Sequence, residues 1–316
     1  MVTMTTVDVP VLRSDPKISA GPRISAGAAA AAGAAGMTFV GVSVAVSSAL
    51  ADAPLFTAQA IRYGAACLLL VGYARVTGRT LVAPRGRDWW WLLGVTIAGL
   101  VLFNVALVYG AAHAEPAVLG VAVACVPVLL ATVGPLLERR RLSPAAVAAA
   151  VVVTCGAALV QGLGRTDAAG LGFAAVVLLC EAAFTLLAVP VLGRHGPYGV
   201  SVHATWLAAV IFGGLGLTRE GPTAVLRLTA GELAATAFLA VGVTAVAFVL
   251  WYGSVGRLGA GRAGLLTGVT PVAAGAAGVA LGGPWPRPLV WVGVATVAAG
   301  LTLGLSLGGT GRSDVG

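Results

Sequence analysis

Charge is scarce in this chain: 9% of its 316 residues are Asp, Glu, Lys or Arg, against 59% that are hydrophobic. A soluble domain of this length carries about a quarter charged residues, so the composition excludes a soluble globular protein. No spaced CxxC pair occurs. The four cysteines, Cys67, Cys125, Cys155 and Cys180, all fall inside apolar runs, which argues against a zinc site or a disulfide framework and for small packing residues. A Walker lysine motif is also missing, which argues against transport driven directly by ATP on this chain. The three histidines, His113, His195 and His203, are scattered. No cluster of acids and no nucleophile beside its base marks a membrane-embedded enzyme, so no catalytic residue, metal or cofactor is expected.

Long apolar runs are abundant. Several reach the roughly 20 residues needed to cross about 30 Å of hydrocarbon, where a helix satisfies its own backbone. They are too long and alternate too poorly for barrel strands. The fold class expected is an all-α integral membrane protein with ten transmembrane helices, over 30–50, 55–75, 89–110, 116–137, 144–163, 171–192, 198–218, 232–254, 263–281 and 288–307. Residues 1–26 contain Pro10, Pro16 and Pro22 among polar residues and are expected to be a disordered tail. The competing reading, a cleaved signal peptide extending into the Ala-rich run, requires an unusually long charged region and removes a helix that the second half possesses.

That second half echoes the first. Shifted by 144 positions, Gly120, Pro127, Val128 and Gly134 fall on Gly264, Pro271, Val272 and Gly278. At a shift of 143, Pro54 falls on Pro197, Gly99 on Gly242, and Tyr109-Gly110 on Tyr252-Gly253. An internal repeat of this kind defines architecture. The expected domains are a tail at 1–26, five-helix repeats at 27–166 and 167–308, and a tail at 309–316.

The formal charge of +8 invites a nucleic-acid reading, but the cations sit in short loops between apolar runs. Such loops orient membrane proteins. With both termini cytoplasmic, only Arg165, Arg219, Arg227 and Arg287 fall outside, and the remaining loop and tail cations fall inside. Trp89, Trp90 and Trp91, directly after Arg85, Arg87 and Asp88, form an interfacial anchor. Five helices per repeat is an odd number, so the second copy enters the membrane inverted. Inverted repeats place a binding site near the midplane between halves that rock against each other. Gly264-x-x-x-Gly268, Gly278-x-x-x-Gly282 and Gly300-x-x-x-Gly304 offer close helix packing, although a Gly-rich and Ala-rich chain generates such spacings freely.

Two ionisable side chains of fixed charge type sit deep in the expected helices, Arg62 and Glu181. A charge at a helix centre costs roughly 2.5–3.5 kcal/mol, so it faces a cavity or a partner. The depths of the two differ by a few ångströms, and they are expected to form or exchange a charge pair lining the site. Glu181 is the candidate for binding a substrate amine or a coupling proton. Against this stand a purely structural pair, or Arg62 reaching outward to lipid headgroups. His203 is a candidate for pH response near neutrality, against a satisfied interior histidine. Gln59, Tyr63, Asn104, Thr205 and Trp206 are candidates for the pocket lining. The repeat aligns Arg62 with Thr205 and Tyr63 with Trp206, so each pair would flank one cavity from both halves. Gly259-Ala260-Gly261-Arg262-Ala263-Gly264 matches the dinucleotide pattern, but it joins two membrane helices with no strand before it and is rejected.

On these residues the chain resembles the drug/metabolite transporter superfamily, specifically the EamA-type ten-helix transporters, over about residues 30–307. The resemblance rests on Arg62-Tyr63, on Pro127-Val128 with Glu138 and Leu142, on Tyr252 and Pro271-Val272, and on Gly156, Gly293 and Gly300. One departure is Gly282-Gly283-Pro284, where the family often has Gly-Glu, so Glu138 lacks a symmetric mate. The resemblance implies gradient-driven transport of small metabolites, commonly export of amino acids or related compounds. The expected partners are therefore a small-molecule substrate, H+ as candidate coupling ion, the lipid bilayer of the cell membrane, and a second copy in a candidate homodimer. A lipid-modifying enzyme and a passive channel are the alternatives; a channel requires a continuous polar path.

Overall fold

The computed structural model describes residues 25–138, 140–162, 164–280, 282 and 285–306. Of the expected tails at 1–26 and 309–316, residues 1–24 and 309–316 lie outside these residues, and the first helix already begins at Ala26. Among the described residues, ten helices are long and apolar enough to cross a membrane: α1 (Ala26–Ser47), α2 (Leu55–Val76), α3 (Asp88–Gly110), α4 (Pro116–Leu137), α5 (Pro144–Gln161), α6 (Ala168–Leu186), α7 (Val189–Arg219), α8 (Ala230–Leu258), α9 (Ala260–Ala280) and α10 (Pro288–Ser306). No strand occurs among the described residues.

The boundary most displaced from expectation is the α6–α7 junction. α6 ends at Leu186 and α7 begins at Val189, before the expected turn, because the chain bends at Gly196 rather than breaking. Gly196 has φ 63°, a conformation costly for any residue with a Cβ, and Pro197 then starts the long segment of α7.

The contacts follow the inverted symmetry. α5 packs on α10, α2 on α7 and α4 on α9, each pairing one helix with its own repeat counterpart. α1 packs on α8 and α9, as α6 packs on α3 and α4. The α5–α10 seam is close because a Cβ on Gly156 would lie 2.8 Å from the Gly293 carbonyl oxygen, and one on Gly293 would lie 2.7 Å from that of Gly156. Gly300 and Gly304 continue the seam against Val153 and Ala149. Gly278, by contrast, faces open space, so that small-residue spacing packs nothing.

The halves also share a backbone irregularity. α3 is π-helical over Val95–Leu102 and α8 over Leu239–Ala247, which are equivalent stretches in the repeat. Such widened turns often occur at functional sites. Here each carries its repeat-matched glycine against an aromatic ring, Gly99 on Phe184 of α6 and Gly242 on Phe39 of α1.

Candidate functional site

Those two π-helical stretches line a cavity of about 100 Å³ at mid-depth. Its polar wall comes from α2 and α3 through Arg62, Tyr63 and Asn104, and Glu181 of α6 lies on the lining as well. Phe103, Phe184, Phe248 and Trp251 supply aromatic surface, with Met37 and Val40 of α1 beside them. Both repeats therefore contribute.

The polar wall is one hydrogen-bonded chain. Gln59 Nε2 donates to Asn104 Oδ1 at 2.9 Å, and Asn104 Nδ2 donates to the Tyr63 hydroxyl at 3.0 Å and to the Leu100 carbonyl at 2.6 Å. Gln59 Oε1 accepts from Arg62 at 3.4 Å, and Arg62 Nε donates to Thr244 Oγ1 of α8 at 2.8 Å. Buried polar groups must be satisfied in this way, since an orphan in a dry interior is costly. Tyr63 is 1% exposed and stacks on Phe212 of α7 with ring centroids 5.7 Å apart. The opposite wall is held from behind: Trp251 Nε1 donates to Thr185 Oγ1 at 3.0 Å and the Tyr252 hydroxyl to the Phe184 carbonyl at 3.1 Å.

Arg62 and Glu181 share the cavity but do not form the expected ion pair. The guanidinium is turned to Thr244 and Gln59, and Glu181 has no hydrogen-bond or ion-pair partner among the described residues. The site thus presents a carboxylate with free acceptor capacity close to a positive charge that is already held in place.

Of the sequence candidates, Gln59, Arg62, Tyr63 and Asn104 come together in the network, and Glu181 faces the same space. His203, Thr205 and Trp206 do not line it. Thr205 is fully buried and its hydroxyl returns to the Ser201 carbonyl at 2.8 Å. His203 and Trp206 bond each other at 3.3 Å and belong to a cluster nearer the Asp88 end of the bundle. The displacement is a matter of depth. Inversion places residues that match by sequence shift at mirrored heights, so Thr205 and Trp206 lie toward the opposite end from Arg62 and Tyr63. Sequence reasoning missed Thr244, which anchors Arg62 across the halves, and the aromatic wall; the signal present was the position of Thr244 two residues after the repeat-matched Gly242.

Residues 27–161 and 168–306 each match the EamA-like transporter family. The Uncharacterized transporter YetK of Bacillus subtilis (strain 168) is 25% identical over 274 residues, covering 84% of this chain and 83% of that protein. A crystal structure of a protein 19% identical superimposes with a TM-score of 0.75 over 88% of this chain and 98% of the other, a likeness of fold. With both halves matched, ten membrane-crossing helices and a shared central cavity, the chain belongs to the EamA-like transporter family and is a multi-pass membrane transporter.

Proposed function

We propose that this protein is a secondary transporter that moves a small metabolite, an amino acid or a related compound, across the cytoplasmic membrane by alternating access, with export as the favoured direction. The halves at 27–166 and 167–308 rock about the central cavity, and both termini face the cytoplasm, as the distribution of Arg and Lys favours. The observation that carries the reading is the juxtaposition of Arg62 and an unpartnered Glu181 on one cavity between inverted repeats. Arg62 and the Tyr63–Asn104–Gln59 chain offer donors for a carboxylate. Glu181 offers an acceptor for an ammonium group or for a coupling proton, and the aromatic wall offers apolar surface for a side chain.

Ligand pockets usually exceed about 300 Å³. A cavity of about 100 Å³ admits only a small group, so loading a metabolite requires its walls to part, as alternating access demands. The test is a thermal-shift screen of purified protein against amino acids, amines, sugars and cationic drugs. A ligand at about 100 times its dissociation constant stabilises the fold by roughly 2.7 kcal/mol. A shift that disappears in Glu181→Gln or Arg62→Ala supports the site and names the substrate class. A hit that survives both substitutions refutes this cavity as the binding site.

A further inference from the structure

The cavity is closed unequally toward its two ends. Toward the end bearing Leu50 and Leu55 it is followed by a second small void of about 30 Å³, lined by Leu50, Ala58, Gln59, Thr236 and Leu239, with Arg62 on the wall of both. Toward the Asp88 end, Leu92, Val95, Val191 and Ala204 are packed, none more than 2% exposed, and a separate cavity of about 290 Å³ opens at this end between Val189, Pro197, Tyr252 and Val255. Beyond that apolar layer lies a polar cluster that ties the two repeats together.

Its centre is Asp88 at the start of α3. One carboxylate oxygen, Oδ2, meets Arg194 of the second repeat at 2.9 Å, His195 Nε2 at 3.1 Å, and the backbone N–H of Arg85 at 3.1 Å. The other ring nitrogen of His195, Nδ1, lies 3.2 Å from the Val82 carbonyl. That carbonyl also accepts from His203 Nε2 at 2.9 Å, while His203 Nδ1 accepts from Trp206 Nε1 at 3.3 Å. The acceptors decide the hydrogens. Both nitrogens of His195 face oxygen, and His203 satisfies its neighbours with Nε2–H alone. The His195 side chain is 0% exposed and that of Asp88 16%, so these contacts are sheltered from water. The two rings meet edge to face at 5.3 Å. Every polar contact made by the His195 side chain thus crosses from α7 in the second repeat to the α2–α3 connection or the first residue of α3 in the first.

We infer that Asp88 and His195, with Arg194, form the latch that holds the transporter closed at this end, and that the latch must open for the cavity to reach that face. This rests on the alternating-access reading above. It adds gating residues that lie far from the cavity and touch no substrate. Gly196, directly after His195, gives the strap carrying Arg194 and His195 its bend, with φ 63°.

Spin labels test it in nanodiscs, in a background with the four native cysteines replaced. Ala83→Cys and Gly193→Cys, both exposed, report the latch end; Asp52→Cys and Thr223→Cys, also exposed, report the opposite end. Hydrogen bonds to charged groups are strong enough that losing one raises the open population about tenfold or more. Asp88→Asn and His195→Gln should each raise the long-distance population of the 83–193 pair by that factor, and the double variant should add little to either alone, as coupled partners do. His195→Gln carries the test if Asp88→Asn fails to fold. A distribution unchanged in a folded variant overturns the latch and leaves the transport reading untouched. Lengthening at 83–193 without shortening at 52–223 supports the latch and sinks alternating access instead.

Discussion

The side-chain amide of Asn104 bridges Tyr63 and Gln59, donating to the tyrosine hydroxyl at 3.0 Å while accepting from the glutamine at 2.9 Å. Removing the bridge orphans two buried groups of α2 at once. Asn104→Ala should therefore destabilise the protein by about 1–3 kcal/mol, read from denaturant unfolding in detergent. Tyr63→Phe should cost less, because Asn104 Nδ2 keeps its bond to the Leu100 carbonyl. Equal losses in the two variants would mean that the Asn104–Tyr63 hydrogen bond carries the whole effect and the bond to Gln59 adds nothing, since phenylalanine keeps the ring on Phe212.

Much of this was legible in the sequence, and the parts that were not have physical reasons. Helix number, the repeat and the mid-depth placement of Arg62 and Glu181 follow from apolar run length and from recurring Gly and Pro, because hydrocarbon thickness and close packing impose them. The direction in which Arg62 points does not follow. Thr244 approaches it only because α8 crosses α2 at that depth, a tertiary fact without a local signal. The π-helical stretches were equally invisible, since the residues of Val95–Leu102 are those of any apolar helix. Asp88 and His195 read as loop residues, and their meeting depends on how the two halves face each other.

Gly99 and Gly242 are matched by the repeat but not in cost. A Cβ on Gly99 would lie 2.6 Å from Phe184 Cβ and 3.0 Å from its Cα, atoms that move only with α6. On Gly242 the nearest atom is the Phe39 ring at 3.2 Å, which can turn. Gly99→Ala should cost about 1–3 kcal/mol as overpacking, and Gly242→Ala distinctly less. Thermal midpoints of the two variants check the order, and the reverse order would show that α6 yields more readily than its packing implies.

Acid should weaken the loops at the end opposite the latch. Asp167 Oδ1 accepts from the Gly170 N–H at 2.8 Å, capping α6, and Oδ2 meets His113 Nδ1 at 3.0 Å. The cap first, and the histidine second, hold this carboxyl below the usual carboxylate range. Glu115 is lowered likewise by its bond to Arg165 at 2.7 Å. A depressed carboxylate contributes stability above its unfolded value, about 4, and that contribution is lost as pH falls through the folded value. Melting curves from about pH 6 down to about pH 3 should therefore fall more steeply for the native chain than for Asp167→Asn. Parallel curves would remove Asp167 from the acid response.

Glu138 was marked by the family resemblance as an acid without a symmetric mate, and its contacts give it work that needs none. It follows the last residue of α4, and its Oε1 accepts from the Ala260 N–H at 2.8 Å, where α9 begins after Gly259 at φ 81°. Arg140 stands 3.5 Å from Oε2, but its own side chain is 63% exposed. The carboxylate therefore caps a helix of the other repeat, and the arginine adds little beyond screening-limited attraction. Glu138→Ala should cost about 1.5–3 kcal/mol, as for a hydrogen bond to a charged group. Glu138→Gln, which retains an acceptor, should cost less, and Arg140→Ala should stay within about 1 kcal/mol. Unfolding midpoints of the three variants decide the matter. If Arg140→Ala matched Glu138→Ala, the ion pair and not the cap would be the element joining α4 to α9.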